Sequence, residues 1–364
     1  MSSEIDLDAL YAALSRDGVL CEMEQLRRPA LQLMPEKGLA HDHVRIVGTG
    51  WLLRVPRQSQ FALAATDNLA YQRACFERAS QGAHAPRLRG VLPPSPDVPM
   101  GALIVDEIEG RTIELPADLA ALAECLASIH RLDVPPPEDR PPLVDHSDPI
   151  AGTLVFIEEQ ARYLDDATDD KDAIVLIKEE LQWARGFASE NAGKPQPTTL
   201  VASDTHPGNY VVDRTGRAFI VDLEKALYGS PAIDLAHCSL YTSTTWDIAA
   251  GHIIDPTDVI SFYQLYFECI DQSLAGALKP WLMPLRRLTW LRTTTWAAKW
   301  RVESRAASLS GKESAENTED WSAENRDARL VAHVEERTRD FLSAPTVDRI
   351  RAEWMAGGEL AAAL

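Results

Sequence analysis

Asp204-Thr205-His206-Pro207-Gly208-Asn209, then Tyr210-Val211-Val212, a turn at Arg214-Thr215-Gly216-Arg217 and the run Ala218-Phe219-Ile220-Val221-Asp222, is the stretch that decides the fold. The preceding Thr199-Leu200-Val201 reads as a strand, so Asp204 falls just past its end. Asn209 opens the next strand, and Gly216 can take the positive φ of a tight hairpin. The return strand then delivers Asp222 to the edge that carries Asn209. Two oxygen ligands on adjacent antiparallel strands, next to a third carboxylate, can hold a hard cation that keeps several waters. Phosphoryl transfer needs such a set, because the protein mainly aligns the nucleophile and neutralises spreading charge. Asp204 is therefore the candidate to orient and finally deprotonate a hydroxyl, with Asn209 and Asp222 as candidate Mg²⁺ ligands. The competing reading of the spacing alone is a set of turn contacts, which Asp, Asn, Pro and Gly often make.

With its flanks, the segment over residues 199–237 resembles the catalytic segment of the aminoglycoside phosphotransferase and choline-kinase-like family, relatives of the protein kinases. The matching letters are Asp204, His206, Pro207, Gly208 and Asn209, then Val221-Asp222-Leu223-Glu224, Gly229-Ser230-Pro231 and Asp234-Leu235-Ala236. The likeness extends more weakly over about residues 28 to 240. It implies an α/β (α+β) chain with a two-lobed protein-kinase-like fold: a small, mostly antiparallel-sheet N-terminal lobe over residues 1–105 and a larger helical C-terminal lobe over 106–364. It also implies ATP and Mg²⁺ in the cleft between them.

The amino-terminal third fits the smaller lobe. Leu31-Gln32-Leu33-Met34 and Val44-Arg45-Ile46-Val47 alternate as strands, bridged by residues 35–43. Such a loop can lay backbone N–H groups over phosphates, with Lys37, Gly38 and His41 as candidate contacts; an ordinary hairpin is the alternative. Trp51-Leu52-Leu53-Arg54-Val55-Pro56 is a third strand with one basic residue among apolar neighbours. In the resembling family that position is basic and holds the α/β-phosphates, and Arg54 has the forked donors for it. Residues 65–80 read as a helix with Leu69, Phe76 and Ala79 on one face. Gln72 shares that inward face, where these kinases usually carry a glutamate paired to the strand lysine, so it is expected to meet Arg54 or else to bond backbone at the core edge. Residues 101–105 would be the last strand of the lobe and Asp106-Glu107-Ile108-Glu109-Gly110 the hinge, with Glu107 and Ile108 offering backbone groups to adenine.

Further on, Pro116 opens a helix whose Leu119, Leu122, Leu126 and Ile129 form a buried stripe. The proline-rich residues 134–142 read as a linker, and 150–166 and 171–192 as two helices. Trp281, Trp290, Trp296 and Trp300 crowd a helical region, either as an aromatic cage for a quaternary amine or as filling of a helix interface. Residues 308–320 read as a polar loop and 321–342 as a charged amphipathic helix.

Two departures from the family pattern stand out: Ala202 and Ser203 occupy the places of a histidine and a glycine before the catalytic aspartate. With Gln72 they leave a non-catalytic nucleotide-binding regulator as the alternative to an ATP-dependent kinase acting on a small-molecule hydroxyl. Phosphorylation of a protein hydroxyl ranks third, since no peptide-docking or activation-loop signature is present.

A 364-residue chain with 45% hydrophobic content can bury a substantial core. Its formal charge of −19, from 36 basic against 55 acidic residues, repels nucleic-acid phosphates and tolerates a cationic substrate. The five cysteines, at 21, 75, 125, 238 and 269, lack C-x-x-C spacing, which points to reduced thiols in a cytoplasm. The acidic start has no signal-peptide core, and no apolar run approaches the roughly 20 residues of a membrane span.

Overall fold

A computed structural model describes residues 5–16, 30–35, 41–310, 328–355 and 358–363. Five strands form one antiparallel sheet in the order β1-β2-β3-β5-β4: β1 (Leu31–Leu33), β2 (His41–Ile46), β3 (Trp51–Pro56), β4 (Leu88–Leu92) and β5 (Ala102–Asp106). Both faces of this sheet are covered, which explains why β5 is apolar from Ala102 to Val105 instead of alternating. Ala102 and Ile104 join Val44, Ile46 and Leu53 under the amino-terminal helix α1 (Leu7–Arg16), through its Leu10, Ala13 and Leu14. Leu103 and Val105 face the other way, into the core shared with Leu69, Cys75 and Phe76 of α2 (Ala65–Ala79). The alternation of side chains along a strand thus serves two hydrophobic layers.

β2 begins three residues earlier than the apolar pattern suggests. His41 belongs to that strand, paired with Pro56, and not to a loop. The sequence reading missed this because His41-Asp42-His43 is polar, while its partners on β3 are buried. Lys37 and Gly38 lie outside the described residues.

The rest of the chain is mainly helical. A three-stranded sheet, β6 (Arg111–Thr112), β8 (Tyr210–Val212) and β9 (Ala218–Ile220), and the pair β7 (Thr199–Val201) with β10 (Leu227–Gly229), carry the candidate catalytic segment. Behind them pack α3 (Leu119–His130), α4 (Pro149–Ala161), the short α5 (Leu164–Ala167), α6 (Lys171–Asn191) and α7 (Pro231–His237). After the short α8 (Tyr241–Thr244), helices α9 (Pro256–Cys269) and α10 (Gln272–Leu278) lead to the long α11 (Leu282–Ser310). Then follow α12 (Ala328–Phe341), α13 (Ala344–Arg351) and α14 (Glu359–Ala363). Helix starts are set by short polar residues: Asp148, Asp170, Ser230 and Asp271 each accept a backbone N–H of the first turn, and Asp255 forms a reciprocal capping box with Asp258. Of the crowded tryptophans, Trp290 and Trp300 are core filling. Trp281 packs edge-on against Phe187, and only Trp296 lines the cleft.

Candidate active site

Asp204 sits past β7 on a turn whose preceding residue, Ser203, has φ of +65°, a region that costs a residue with a side chain about 1 kcal/mol or more. That conformation explains why a glycine can occupy this place in relatives of the motif. Here it is held from both sides. The Ala202 and Ser203 N–H groups donate to the two oxygens of buried Asp234 at 2.7 and 2.8 Å, and Arg292 Nη2 donates to the Ser203 carbonyl at 3.0 Å. Asp234 also meets His130 Nε2 at 3.1 Å, and His130 Nδ1 lies 2.9 Å from the Tyr266 hydroxyl. With Ala202 in place of the histidine, the loop is therefore anchored through Asp234, His130 and Tyr266.

Around the Asp204 carboxylate the charges are unequal. Lys225 Nζ donates to its Oδ2 at 2.8 Å, and His237 Nε2 lies 4.0 Å from Oδ1. The Thr205 N–H donates to His237 Nδ1 at 3.1 Å, which fixes the neutral tautomer with its proton on Nε2, facing Asp204. Burial, only partly offset by the charge of Asp204, pulls the imidazole down to about 3, so it is neutral at pH 7. For Asp204 burial works upward, but Lys225, His206 and His237 outweigh it and hold the carboxyl well below the usual range. Lys225, in turn, is raised: burial works against its charge, and Asp204 and Glu224 overcome it. The sequence signal for Lys225 was its place directly after Asp222-Leu223-Glu224.

Asn209 closes the 3₁₀ turn at residues 207–209, and its Nδ2 donates to the Asp204 carbonyl at 2.9 Å. That bond turns the amide oxygen away from the loop. Its own carbonyl accepts from Val221 N–H at 2.9 Å, so the β8–β9 hairpin sets Asn209 beside Asp222 as its register requires. Gly208 is glycine for a packing reason: a Cβ there would come within 2.4 Å of the Asp247 carboxylate. Among the described residues no cluster of three or more His, Cys, Asp and Glu side chains forms a metal cage. The pair present, one amide oxygen and one carboxylate, suits Mg²⁺, which keeps waters and shares phosphate oxygens instead of filling a protein cage.

The small lobe reaches this site through Arg54. Its Nη2 donates to Asp222 Oδ1 at 2.7 Å and its Nη1 to the Val221 carbonyl at 2.9 Å, with the guanidinium 5.3 Å from the centre of the Phe76 ring. For Asp222, burial works upward while Arg54 and His41 prevail, and the net direction is down. The expected contact between Arg54 and Gln72 is absent: Gln72 Oε1 instead meets His41 Nε2 at 3.0 Å. The reason lies in β2, whose extra residues carry His41 over the helix while Arg54 is drawn to the stronger, charged partner. Burial and the Arg54 charge pull His41 down to about 4. Burial and the neighbouring Asp222 push Glu224, whose Oε2 lies 3.5 Å from His41 Nδ1, up to about 8. Gln72, His41 and Glu224 thus form a neutral group beside the charged Arg54–Asp222 pair. At the hinge, Glu107 pairs with Arg45 and its N–H donates to the Gly50 carbonyl at 2.8 Å, leaving its carbonyl for a base. Neither Glu107 nor Ile108 lines the cleft, whereas Thr112 does.

The cleft has a volume of about 540 Å³ and runs from His41, His43 and Phe61 past Asp222 and Asp204 to Trp246 and Trp296. Trp246, Asp247 and Arg292 carried no pattern in the sequence that marked them, because they converge only through the packing of α11 on the loop after α8.

No curated protein matches the chain. Among solved structures, the ethanolamine kinase of Plasmodium vivax superposes with a TM-score of 0.59 at 10% identity, covering 96% of this chain and 92% of that one. The GDP complex of aminoglycoside 2'-phosphotransferase-IIIa gives 0.54 at 13% identity, covering 90% and 97%. The macrolide 2'-phosphotransferase of Brachybacterium faecium gives 0.52 at 16%, covering 92% and 96%. At these identities the likeness is one of fold, the two-lobed protein-kinase-like architecture. The profile of the phosphotransferase enzyme family, APH, matches residues 35–257, a stretch holding Arg54, Asp204, Asn209 and Asp222, and on that match the chain belongs to this family.

Proposed function

We propose that this protein transfers the γ-phosphoryl group of ATP to a hydroxyl of a small molecule, with a nucleotide lobe over residues 1–105 and an acceptor-binding lobe over 106–364. The observation that carries the reading is the Asp204 carboxylate, held ionised by Lys225 and within the same cleft as Asn209 and Asp222. Asp204 orients the acceptor O–H. The bond from acceptor oxygen to γ-phosphorus forms as the bond to the β,γ-bridging oxygen breaks, ADP leaves, and the hydroxyl proton passes to Asp204 and on to solvent. Lys225 is placed to neutralise charge on the group in flight. Asn209 and Asp222 would hold Mg²⁺, which supplies charge neutralisation on the nucleotide phosphates. Arg54 and His41 would face those phosphates, with Gln72 supporting His41, and the hinge backbone at Glu107 and Ile108, beyond the cleft lining, would meet adenine. The described cysteines, Cys75, Cys125, Cys238 and Cys269, are free, which accords with a cytoplasmic setting. Among the described residues no helix is long and apolar enough to cross a membrane.

Asp204→Asn tests the assignment. Its ATP affinity should stay near that of the wild type while turnover on an accepted hydroxyl compound falls on the order of 10²–10⁴. Near-wild-type turnover would place the base elsewhere.

A further inference from the structure

The acceptor end of the cleft differs in chemistry from its nucleotide end. Trp246 and Trp296 wall it, their rings edge to face with centroids 5.3 Å apart at 81°. Phe156, Ile248, Leu330 and Val334 complete the apolar lining. Ile248 stands 58% exposed at the mouth, so the apolar surface continues outward. Two hydroxyls on the lining residues, Thr242 Oγ1 and Ser243 Oγ, are buried and find no partner among the described residues. Buried polar atoms of this kind usually have one, and a ligand hydroxyl or amine can supply it.

Among the described residues, charge at this end is balanced: its carboxylates are Asp204 and Asp247 and its cations Lys225 and Arg292, with Asp222 and Glu224 lying towards the nucleotide end. Asp204 is engaged by Lys225. Asp247 Oδ1 accepts the N–H groups of Ala249 and Ala250 at 2.8 and 2.7 Å and Oδ2 packs beside Gly208, so this carboxylate has room for at most one incoming ammonium. Each further ammonium drawn between the two tryptophans would lose water without gaining a counter-ion.

Resting on the phosphotransferase reading, we propose that the acceptor is a largely apolar, ring-bearing alcohol with no more than one amine. Its body lies against Trp246 and Trp296, its amine meets Asp247, and its hydroxyl reaches Asp204. Polycationic amino sugars do not suit this end despite the acidity of the whole chain, because its two described carboxylates are already matched by two cations.

Binding without nucleotide tests this directly. Calorimetric titrations would compare propranolol and erythromycin, a small and a large ring-bearing alcohol with one amine each, against kanamycin. At least one of the first two should bind about tenfold or more tighter than kanamycin. Trp296→Ala should weaken that binding about tenfold, and Ile248→Asp, at an exposed position that leaves the fold alone, should weaken it and strengthen kanamycin. Equal or tighter kanamycin binding to the wild type overturns the inference, as does failure of both apolar probes to bind or indifference to Ile248→Asp. A parallel titration with Mg·ATP separates the two claims: lost ATP binding would remove the phosphotransferase reading, whereas intact ATP binding with a kanamycin preference would remove only the acceptor class.

Discussion

Lys225→Met isolates the ammonium that faces Asp204, the proposed catalytic carboxylate. Opposite unit charges at the observed 2.8 Å attract by roughly 1.5 kcal/mol in a water-like medium and about 6 kcal/mol at an effective dielectric of ~20. The Lys225 and Asp204 side chains keep 36% and 26% of their exposure, so solvent screening places the pair near the lower figure, about 2 kcal/mol. Two consequences follow, and both can be read in kcat/KM against pH. In the wild type, Asp204 is held low, so the base form persists and activity is retained as pH falls through the usual carboxylate range. Without Lys225 the upward effect of burial is less opposed, and the acidic limb should move up by about one to two pH units. Separately, loss of positive charge from the transferring phosphoryl group should lower kcat at pH 8 by about 10²-fold, while ATP affinity changes little. An unmoved acidic limb together with a kcat within about threefold of the wild type would refute the role given to Lys225.

Asp222→Ala should remove the magnesium dependence of ATP binding, so calorimetry with and without EDTA gives the same affinity for the variant; an undiminished affinity in magnesium would contradict the ligand assignment. Arg54→Ala should weaken ATP at least about tenfold, since it frees the partner of Asp222, whereas Gln72→Glu should alter it by less than about threefold. Equal affinities for the wild type and Arg54→Ala would contradict this. Asp234→Asn leaves one of the Ala202 and Ser203 N–H groups facing an amide donor, and should cost about 2–4 kcal/mol in urea unfolding.

The hairpin of the candidate site was legible because it is local: Tyr210-Val211-Val212, the turn at Gly216 and Ala218-Phe219-Ile220 fix register within eleven residues of chain, and Asn209 and Asp222 follow from it. β3 and β5 were equally plain, being apolar runs between turns. His41 was misplaced because periodicity sees hydrophobicity, and a strand that buries histidine against a glutamine offers none. The pairing of Arg54 was misjudged for a related reason. Helix position predicts which face Gln72 presents, but not that a carboxylate 168 residues away would offer Arg54 a charge. The acceptor end was marked only by Trp296, one of the crowded tryptophans. Trp246 and Asp247 lie on the loop after α8 and Arg292 on α11, and no spacing along the chain encodes their meeting.

The contact between Gly208 and Asp247 ties a catalytic motif to a recognition loop. Because the carboxylate occupies the space a Cβ at 208 would need, the loop that meets the acceptor leans on the residue next to Asn209. Exchanging that loop to reprogram the acceptor would not be a modular operation: a bulkier side chain at 247 would press on the backbone beside Asn209, the proposed metal ligand. Substrate range and metal affinity should then drift together in engineered variants, and pairs of substitutions at 208 and 247 would have to be selected jointly.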